Sequence, residues 1–416
     1  MSDVLRIATT GNVDDGKSTL IGRLLYETGS LPDDRVEDLM RASKRRGFDG
    51  PDFSLLTDGL MAEREQGITI DVAHVYFQTP KRKFIVADTP GHEQYTRNMV
   101  TGASTSTAAL ILVDARNGSL LQTYRHFFLS RILRLSSVVV CINKMDLVAY
   151  SRERYEDLVR DLTAFAGRIG HSAAKLLFVP LCATAGDNVT ARSENMPWYR
   201  GKPLLGILEM LDIPAPGATD PLRFPVQCVL RTSRPGFPDY RAYAGKVASG
   251  VLHPGDGVMT LPSRRTATVT GIDRCGEEVR SAGAGESIAV RLDRDLDLRR
   301  GDMMVRGASV PVVSRTLESR LCWLDEQPLN VRRRYILQHG VHRVPARVET
   351  IRSVIHPASL DPSDGAASLS LNDIGDVTIA AGADLYYDPF DGNKANGAFI
   401  LIDDATNDTV AVGVCL

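Results

Sequence analysis

Residues Gly11-Asn12-Val13-Asp14-Asp15-Gly16-Lys17-Ser18-Thr19 place two glycines, a lysine and a hydroxyl at the spacing G-x-x-x-x-G-K-S. Glycines let a backbone wrap closely around phosphate oxygens, and the loop amides with the following helix N-terminus supply positive potential. Lys17 adds a charge toward the outer phosphates, and the Ser18 hydroxyl is a hard oxygen donor suited to Mg²⁺. A glycine-rich turn that only caps a helix is the plain alternative. The apolar run Leu5-Arg6-Ile7-Ala8 before the loop and the helical pattern Thr19 to Leu25 after it favour a nucleoside-triphosphate site.

A phosphate loop serves ATP and GTP equally. The residues that separate them are Asn143-Lys144-Met145-Asp146, which follow the apolar run Val138 to Ile142. A carboxylate at Asp146 accepts from both N1–H and the 2-amino group of guanine, whereas adenine would leave it unpaired. Asn143 and the stem of Lys144 brace the loop and cover the ring. The end of a strand is where open α/β sheets bind their ligands. Between these motifs lies Asp88-Thr89-Pro90-Gly91-His92, again after an apolar run. Asp88 is placed to hold Mg²⁺ through water, and the Gly91 amide to bond a γ-phosphate. Thr69 offers a second hydroxyl to the metal once the γ-phosphate orders its loop. That reading makes residues 28–72 a candidate switch. An ordinary strand threonine is the alternative for Thr69.

Three kinds of element must position these residues. Up to about residue 215, strand-like runs (Leu5–Ala8, Phe84–Ala87, Ala109–Val113, Val138–Ile142, Leu177–Leu181) alternate with helical stretches such as Ser119–Leu133 and Arg152–Arg168. Alternation with continuously apolar strands predicts a mostly parallel sheet with helices on both faces. Ile70–Gln78 alternates instead, and predicts a hairpin with Phe84–Ala87 at the sheet edge. A proline-rich linker follows at 213–221. Beyond it, short β-rich runs punctuated by glycine predict two small β-barrels. The expected fold is therefore an α/β P-loop GTPase domain, 1–215, followed by β-barrel domains at 221–311 and 314–416.

Composition sets the outer limits. A formal charge of −2 gives no global field for nucleic acid or an anionic membrane. Six cysteines are scattered singly, without C-x-x-C, as expected for thiols in a reducing cytosol. Neither a leader nor a membrane-length apolar run is apparent, so a cytoplasmic location is expected. The basic clusters Lys44-Arg45-Arg46, Lys81-Arg82-Lys83 and Arg332-Arg333-Arg334 read as solvated or partner-facing loops. His339 and His342 read as loop histidines, not a metal pair. Trp198 and Tyr199 read as packing between domains, with a partner anchor as the alternative.

Taken together, these motifs resemble the translational-factor class of GTPases. The resemblance implies a fifth nucleotide motif at Cys182-Ala183, where the family has Ser-Ala and a backbone amide contacts the guanine O6. It further implies that His92 positions the attacking water and that Val13 and Ile68 gate that histidine. Within the class, the stretches Asn12–Thr19, Asp88–Met99, Ser193–Tyr199, Arg223–Gln227, Tyr243–Gly245 and Glu326–Leu329 resemble the large, GTP-hydrolysing subunits of bacterial sulfate adenylyltransferases. In that family a separate small subunit binds ATP and sulfate and forms adenosine 5′-phosphosulfate and pyrophosphate, driven by GTP hydrolysis on the large subunit. The resemblance thus implies GTP and Mg²⁺ as cofactors and a small ATP-binding partner; no fused kinase domain is expected, since the chain stops at Leu416 within β-like sequence. The other readings are an elongation-factor-like carrier of tRNA, or a paralogue serving another adenylyl transfer.

Overall fold

The apolar runs of the first half become the strands of one sheet, and those at its centre are buried on both faces. Those strands are β1 (Val4–Thr10), β2 (Ala73–Gln78), β3 (Lys83–Asp88), β4 (Ala108–Asp114), β5 (Ser137–Asn143) and β6 (Leu176–Pro180). Their order is β2-β3-β1-β4-β5-β6. Five run parallel, and β2 pairs antiparallel with β3 at the edge, as the alternating pattern predicts. All seven residues of β4 are buried. The computed structural model describes residues 4–45, 47, 50–56, 71–133, 135–170, 176–212, 220–234, 237–356, 361–364 and 367–416.

The helices are α1 (Lys17–Glu27), α2 (Asp33–Arg45), α3 (Thr96–Ala103), α4 (Leu121–Ile132), α5 (Arg152–Arg168) and α6 (Leu204–Leu208). Helix α5 matches its sequence pattern residue for residue, opened by Ser151, whose hydroxyl accepts from the Arg154 amide at 3.2 Å. Helix α2 lies inside the segment expected to be a switch. Only Leu39 and Ser43 are buried along it, and the charged residues that dominate it mask its narrow apolar stripe of Val36, Leu39 and Met40. Phe53, just beyond, packs under α1, its ring 5.3 Å from Tyr26. The tip of the β2–β3 hairpin is tied to α6: Lys81 pairs with Glu209 at 2.7 Å, and Arg82 donates to the carbonyls of Leu208 and Leu211.

The chain divides into two compact units at the Ile213–Pro214 boundary. The second unit is all β. Its first nine strands are β7 (Arg223–Arg234), β8 (Phe237–Lys246), β9 (Val251–Leu252), β10 (Gly257–Leu261), β11 (Thr266–Arg274), β12 (Glu277–Glu278), β13 (Ala282–Gly283), β14 (Ser287–Leu292) and β15 (Met303–Val305). Seven more follow: β16 (Val312–Trp323), β17 (Tyr335–His339), β18 (His342–Ile355), β19 (Pro362–Asp364), β20 (Ile374–Tyr387), β21 (Ala398–Asp403) and β22 (Thr409–Cys415). The sheet β10-β15-β7-β8-β14-β11 closes through β10–β11, and the sheet β17-β21-β22-β16-β20-β18 through β17–β18. Each is a barrel around its own core, one centred on Phe224, Tyr243 and Val290, the other on Trp323, Leu337 and Leu401.

Between the two barrels, Arg223 is fully buried and donates from Nε and Nη2 to both oxygens of Asp388 at 2.8 Å. Its Nη1 donates to the carbonyls of Leu222 and Ser309. Asp388 also accepts from the amides of Asn393 and Asn396 at 3.0 Å. The charge pair is thus surrounded by hydrogen bonds, the condition under which an interior ion pair is tolerated.

Candidate functional site

Strand β1 delivers the chain into the loop Gly11–Gly16, and α1 leaves it at Lys17. Gly16 adopts φ +91°, and a Cβ there would stand 2.5 Å from the Asn143 amide, so the position demands glycine. The Asp15 carboxylate accepts from the Asn12 backbone amide at 2.7 Å and from its side chain at 3.1 Å. Lys17 Nζ donates to the carbonyls of Gly11 (2.9 Å) and Asn12 (2.7 Å). Burial pushes the Lys17 pKa down, while the carboxylates of Asp88 and Asp15 oppose it. The first amides of α1, from Lys17 through Ser18 and Thr19, have no acceptor within the helix and face the loop side of the sheet.

Strand β3 lies parallel beside β1, with Asp88 in register with Thr9. Thr9 Oγ1 donates to Asp88 Oδ1 at 3.1 Å, and Thr89 Oγ1 donates to the Thr9 carbonyl at 2.5 Å. A Cβ on Gly91 would overlap the Gly11 carbonyl and Lys17 Nζ, so the loop after β3 rests directly on the phosphate loop. Thr89 and Pro90 are buried there. His92 is half-buried beside this contact, its Nδ1 accepting from the Gln94 amide at 3.3 Å and its ring 5.9 Å from Tyr95. Ser18 and Asp88 are hard oxygen donors, the set a magnesium ion prefers, and Asp88 lies near enough to Lys17 to shift its pKa. Val13 is exposed. Thr69 and Ile68 lie outside the described residues.

Asn143, at the end of β5, joins the two ends of the site. Its Nδ2 donates to the Asp15 carbonyl at 2.8 Å, and its Oδ1 accepts from the Ala183 amide at 3.0 Å. Lys144 turns the chain with φ +62°, and its Nζ lies 3.0 Å from Asp114. Burial would raise the Asp114 carboxyl, but the Arg116 and Lys144 bonds overcome it and hold the group well below the usual carboxylate range. Met145 is buried, and Asp146 is exposed. The Cys182 thiol, almost fully buried, donates to Asp146 Oδ1 at 3.1 Å and lies 3.2 Å from Thr184 Oγ1. The Cys182 loop is fixed from behind by Arg23 of α1, which donates to the carbonyls of Thr184 and Ala185 and pairs with Glu27. Thr9, Arg23, Asp114 and His126 have structural parts around this site that sequence reasoning missed. Thr9, Arg23 and Asp114 reach partners distant in the chain, Asp88, Thr184 and Lys144, and none of the four sits in a motif.

The chain is similar to known proteins along its whole length. Residues 2–217 match the elongation factor Tu GTP binding domain, and residues 316–416 match the GTP-eEF1A C-terminal domain-like family. Sulfate adenylyltransferase subunit 1 of Bacteroides fragilis is 44% identical over 416 residues, covering all of this chain and 86% of that protein. The chain belongs to the sulfate adenylyltransferase subunit 1 family. The bifunctional enzyme CysN/CysC of Mycobacterium tuberculosis is also 44% identical, with all of this chain matched to 68% of its length. The GTP-bound GTPase-like domain of S. cerevisiae Ski7 shares the fold, with a TM-score of 0.53, 15% identity, and coverage of 100% of this chain and 97% of that one.

In this member of the subunit 1 family, Trp198 and Tyr199, expected to pack between domains, make their hydrogen bonds inside the nucleotide unit. Trp198 Nε1 donates to the Tyr150 carbonyl at 3.0 Å, and Tyr199 donates to the Phe178 carbonyl at 3.1 Å. His339 is buried with Nε2 2.9 Å from the Asn396 carbonyl, and His342 stacks on Tyr386. Among the described residues no group of three or more His, Cys, Asp or Glu side chains is arranged to hold a metal ion. Arg333 and Arg334 pair with Asp403 and Asp404. Among the described residues no helix is long and apolar enough to cross a membrane.

Proposed function

We propose that this subunit 1 family member binds GTP with Mg²⁺ and hydrolyses it. We further propose that this hydrolysis drives a small ATP-binding partner to form adenosine 5′-phosphosulfate and pyrophosphate from ATP and sulfate. The observation that carries the reading is Asn143, which ties the phosphate loop to the Cys182-Ala183 loop and so sets the spacing between triphosphate and base. In this reading Gly11 to Thr19 cradle the phosphates, with Lys17 turning from the loop carbonyls to the outer phosphate oxygens. Asp146 accepts the two guanine donors, the Ala183 amide contacts O6, and Asn143, Lys144 and Met145 hold the loop. Ser18, Asp88 and Thr69 are the oxygen donors assigned to Mg²⁺, which when bound neutralises charge on the β- and γ-phosphates.

His92 orients water toward the γ-phosphorus. The new P–O bond forms as the bond to the β-phosphate oxygen breaks, giving GDP and inorganic phosphate. The domains 1–215, 221–311 and 314–416 are proposed as the working parts. The test is co-expression with a candidate small subunit, measuring pyrophosphate release. It should require both sulfate and GTP. Lys17→Ala should abolish tight GTP binding, and His92→Ala should keep binding while slowing hydrolysis on the order of 10²-fold. Wild-type turnover in the His92 variant sinks its assignment; pyrophosphate release indifferent to GTP, or tRNA co-purifying in place of a small subunit, sinks the coupling.

A further inference from the structure

We infer that Cys182 is the positioning residue for guanine selectivity, and that its thiol sets a softer grip on the base than a hydroxyl would. This rests on the reading of Asp146 as the guanine acceptor. Asp146 is exposed, so its carboxylate has no packing to fix its rotamer. Lys144, the neighbouring cation, is engaged by Asp114 instead. Among the described residues, the hydrogen bond that the Asp146 carboxylate receives comes from the Cys182 thiol, at 3.1 Å on Oδ1. Because an ionised carboxylate only accepts, the thiol is the donor there, and Thr184 Oγ1 donates to the sulfur in turn. The relay runs from hydroxyl to thiol to carboxylate.

The thiol's place is set by scaffold. Cys182 is 1% exposed, follows β6, and belongs to a loop whose next carbonyls are clamped by Arg23. Burial, with the bond to Asp146, pushes the thiol pKa up, so it stays protonated and keeps its donor proton near neutral pH. An S–H is a weaker donor than an O–H at the same position. The carboxylate is therefore aimed but lightly held, with one oxygen kept on the thiol and the pair turned toward N1–H and the 2-amino group. A lightly held acceptor discriminates by the 2-amino group less sharply and releases GDP sooner than a serine-held one.

The experiment compares wild type, Cys182→Ser and Cys182→Ala for GDP and for inosine diphosphate, which lacks the 2-amino group. It measures dissociation constants by calorimetry and GDP release with a fluorescent analogue. Cys182→Ser should tighten GDP several-fold, slow its release by the same factor, and raise the preference over inosine diphosphate. Cys182→Ala should weaken GDP about 10-fold, the loss of one charge-assisted bond, and weaken inosine diphosphate much less. Equal losses for both nucleotides in Cys182→Ala would mean a merely loosened loop and overturn the proposal. Unchanged GDP affinity and release in both variants would overturn it too. Failure of the underlying reading looks different: wild type itself would then prefer neither guanine nor hypoxanthine nucleotides over ATP.

Discussion

At the scale of single residues, the site shows what can be read from spacing and what cannot. His126 is the clearest case of the second kind. It sits on α4 one turn after Thr123, whose hydroxyl lies 3.4 Å from the Asn12 amide of the phosphate loop. It is 1% exposed, and its Nδ1 has no hydrogen-bond partner among the described residues. Burial, with Lys17 and Arg125 nearby, pushes its pKa down to about 3. The folded state therefore keeps the imidazole neutral where the unfolded chain, with a pKa of about 6.5, takes up a proton. The unfolded state binds more protons in that window, so stability falls as pH drops from about 6.5 toward 3. Between pH 6.5 and 5 the loss should reach about 2 kcal/mol, read from urea midpoints of the nucleotide unit. His126→Asn should remove that part of the slope, and identical slopes in the two proteins would refute the role. By contrast, Gly11–Thr19, Asp88–Gly91 and Asn143–Asp146 were legible because each motif is contiguous and its chemistry is set by residue type at fixed offsets. Thr9 and Arg23 were not, since each acts on a partner that only folding brings near, Arg23 and Thr184 standing 161 positions apart, and nothing in the sequence around His126 marks it as buried.

Among elements, legibility followed burial. Strand β4 is buried throughout and its apolar run predicted it within a residue at each end. The β2–β3 hairpin was visible because one of its strands alternates. Helix α2 was masked by its charge: Asp33 and Asp34 open it and Lys44 and Arg45 close it, which suits the helix dipole but leaves only a narrow apolar stripe of Val36, Leu39 and Met40. The barrel strands were found as runs, yet their extents were underestimated. Strand β18, for example, reaches from His342 to Ile355 where only Ala346–Ile351 reads as apolar. The cap of α5 supplies a prediction at this scale. Ser151→Ala removes the acceptor for the Arg154 amide and should cost about 1 kcal/mol. The urea midpoint should fall with the slope unchanged, and GDP affinity should stay at the wild-type value. A change in affinity without a change in midpoint would assign Ser151 a different part.

For the whole molecule, the order of α/β half and β half followed from the composition shift near residue 213. The pairing of Arg223 with Asp388 did not, because 165 positions separate them and a lone arginine carries no signal of burial. Arg223→Ala would strand the Asp388 carboxylate and should destabilise the β unit by about 3–5 kcal/mol. Replacing both, Arg223→Met with Asp388→Leu, should restore about half of that: the Asn393 and Asn396 amides each lose one bond to Asp388 and keep their bonds to Ser249 and the Tyr386 carbonyl. Thermal unfolding of the two variants decides it; a double variant no better than the single one would show that the pair contributes net attraction. The closure of each barrel has a consequence for how copies of this chain behave when crowded. A ring of strands has no row of spare amides and carbonyls, and among the described residues only the short β12 and β19 project from these two. Among the described residues, the edge strands of the open sheet belong to the other unit, at β2 and β6, and β2 displays Tyr76 with two-thirds of its surface in water. Strand-to-strand sticking between molecules therefore has its foothold in the half that carries the nucleotide, and a charged side chain placed at Tyr76 is the simplest guard against it.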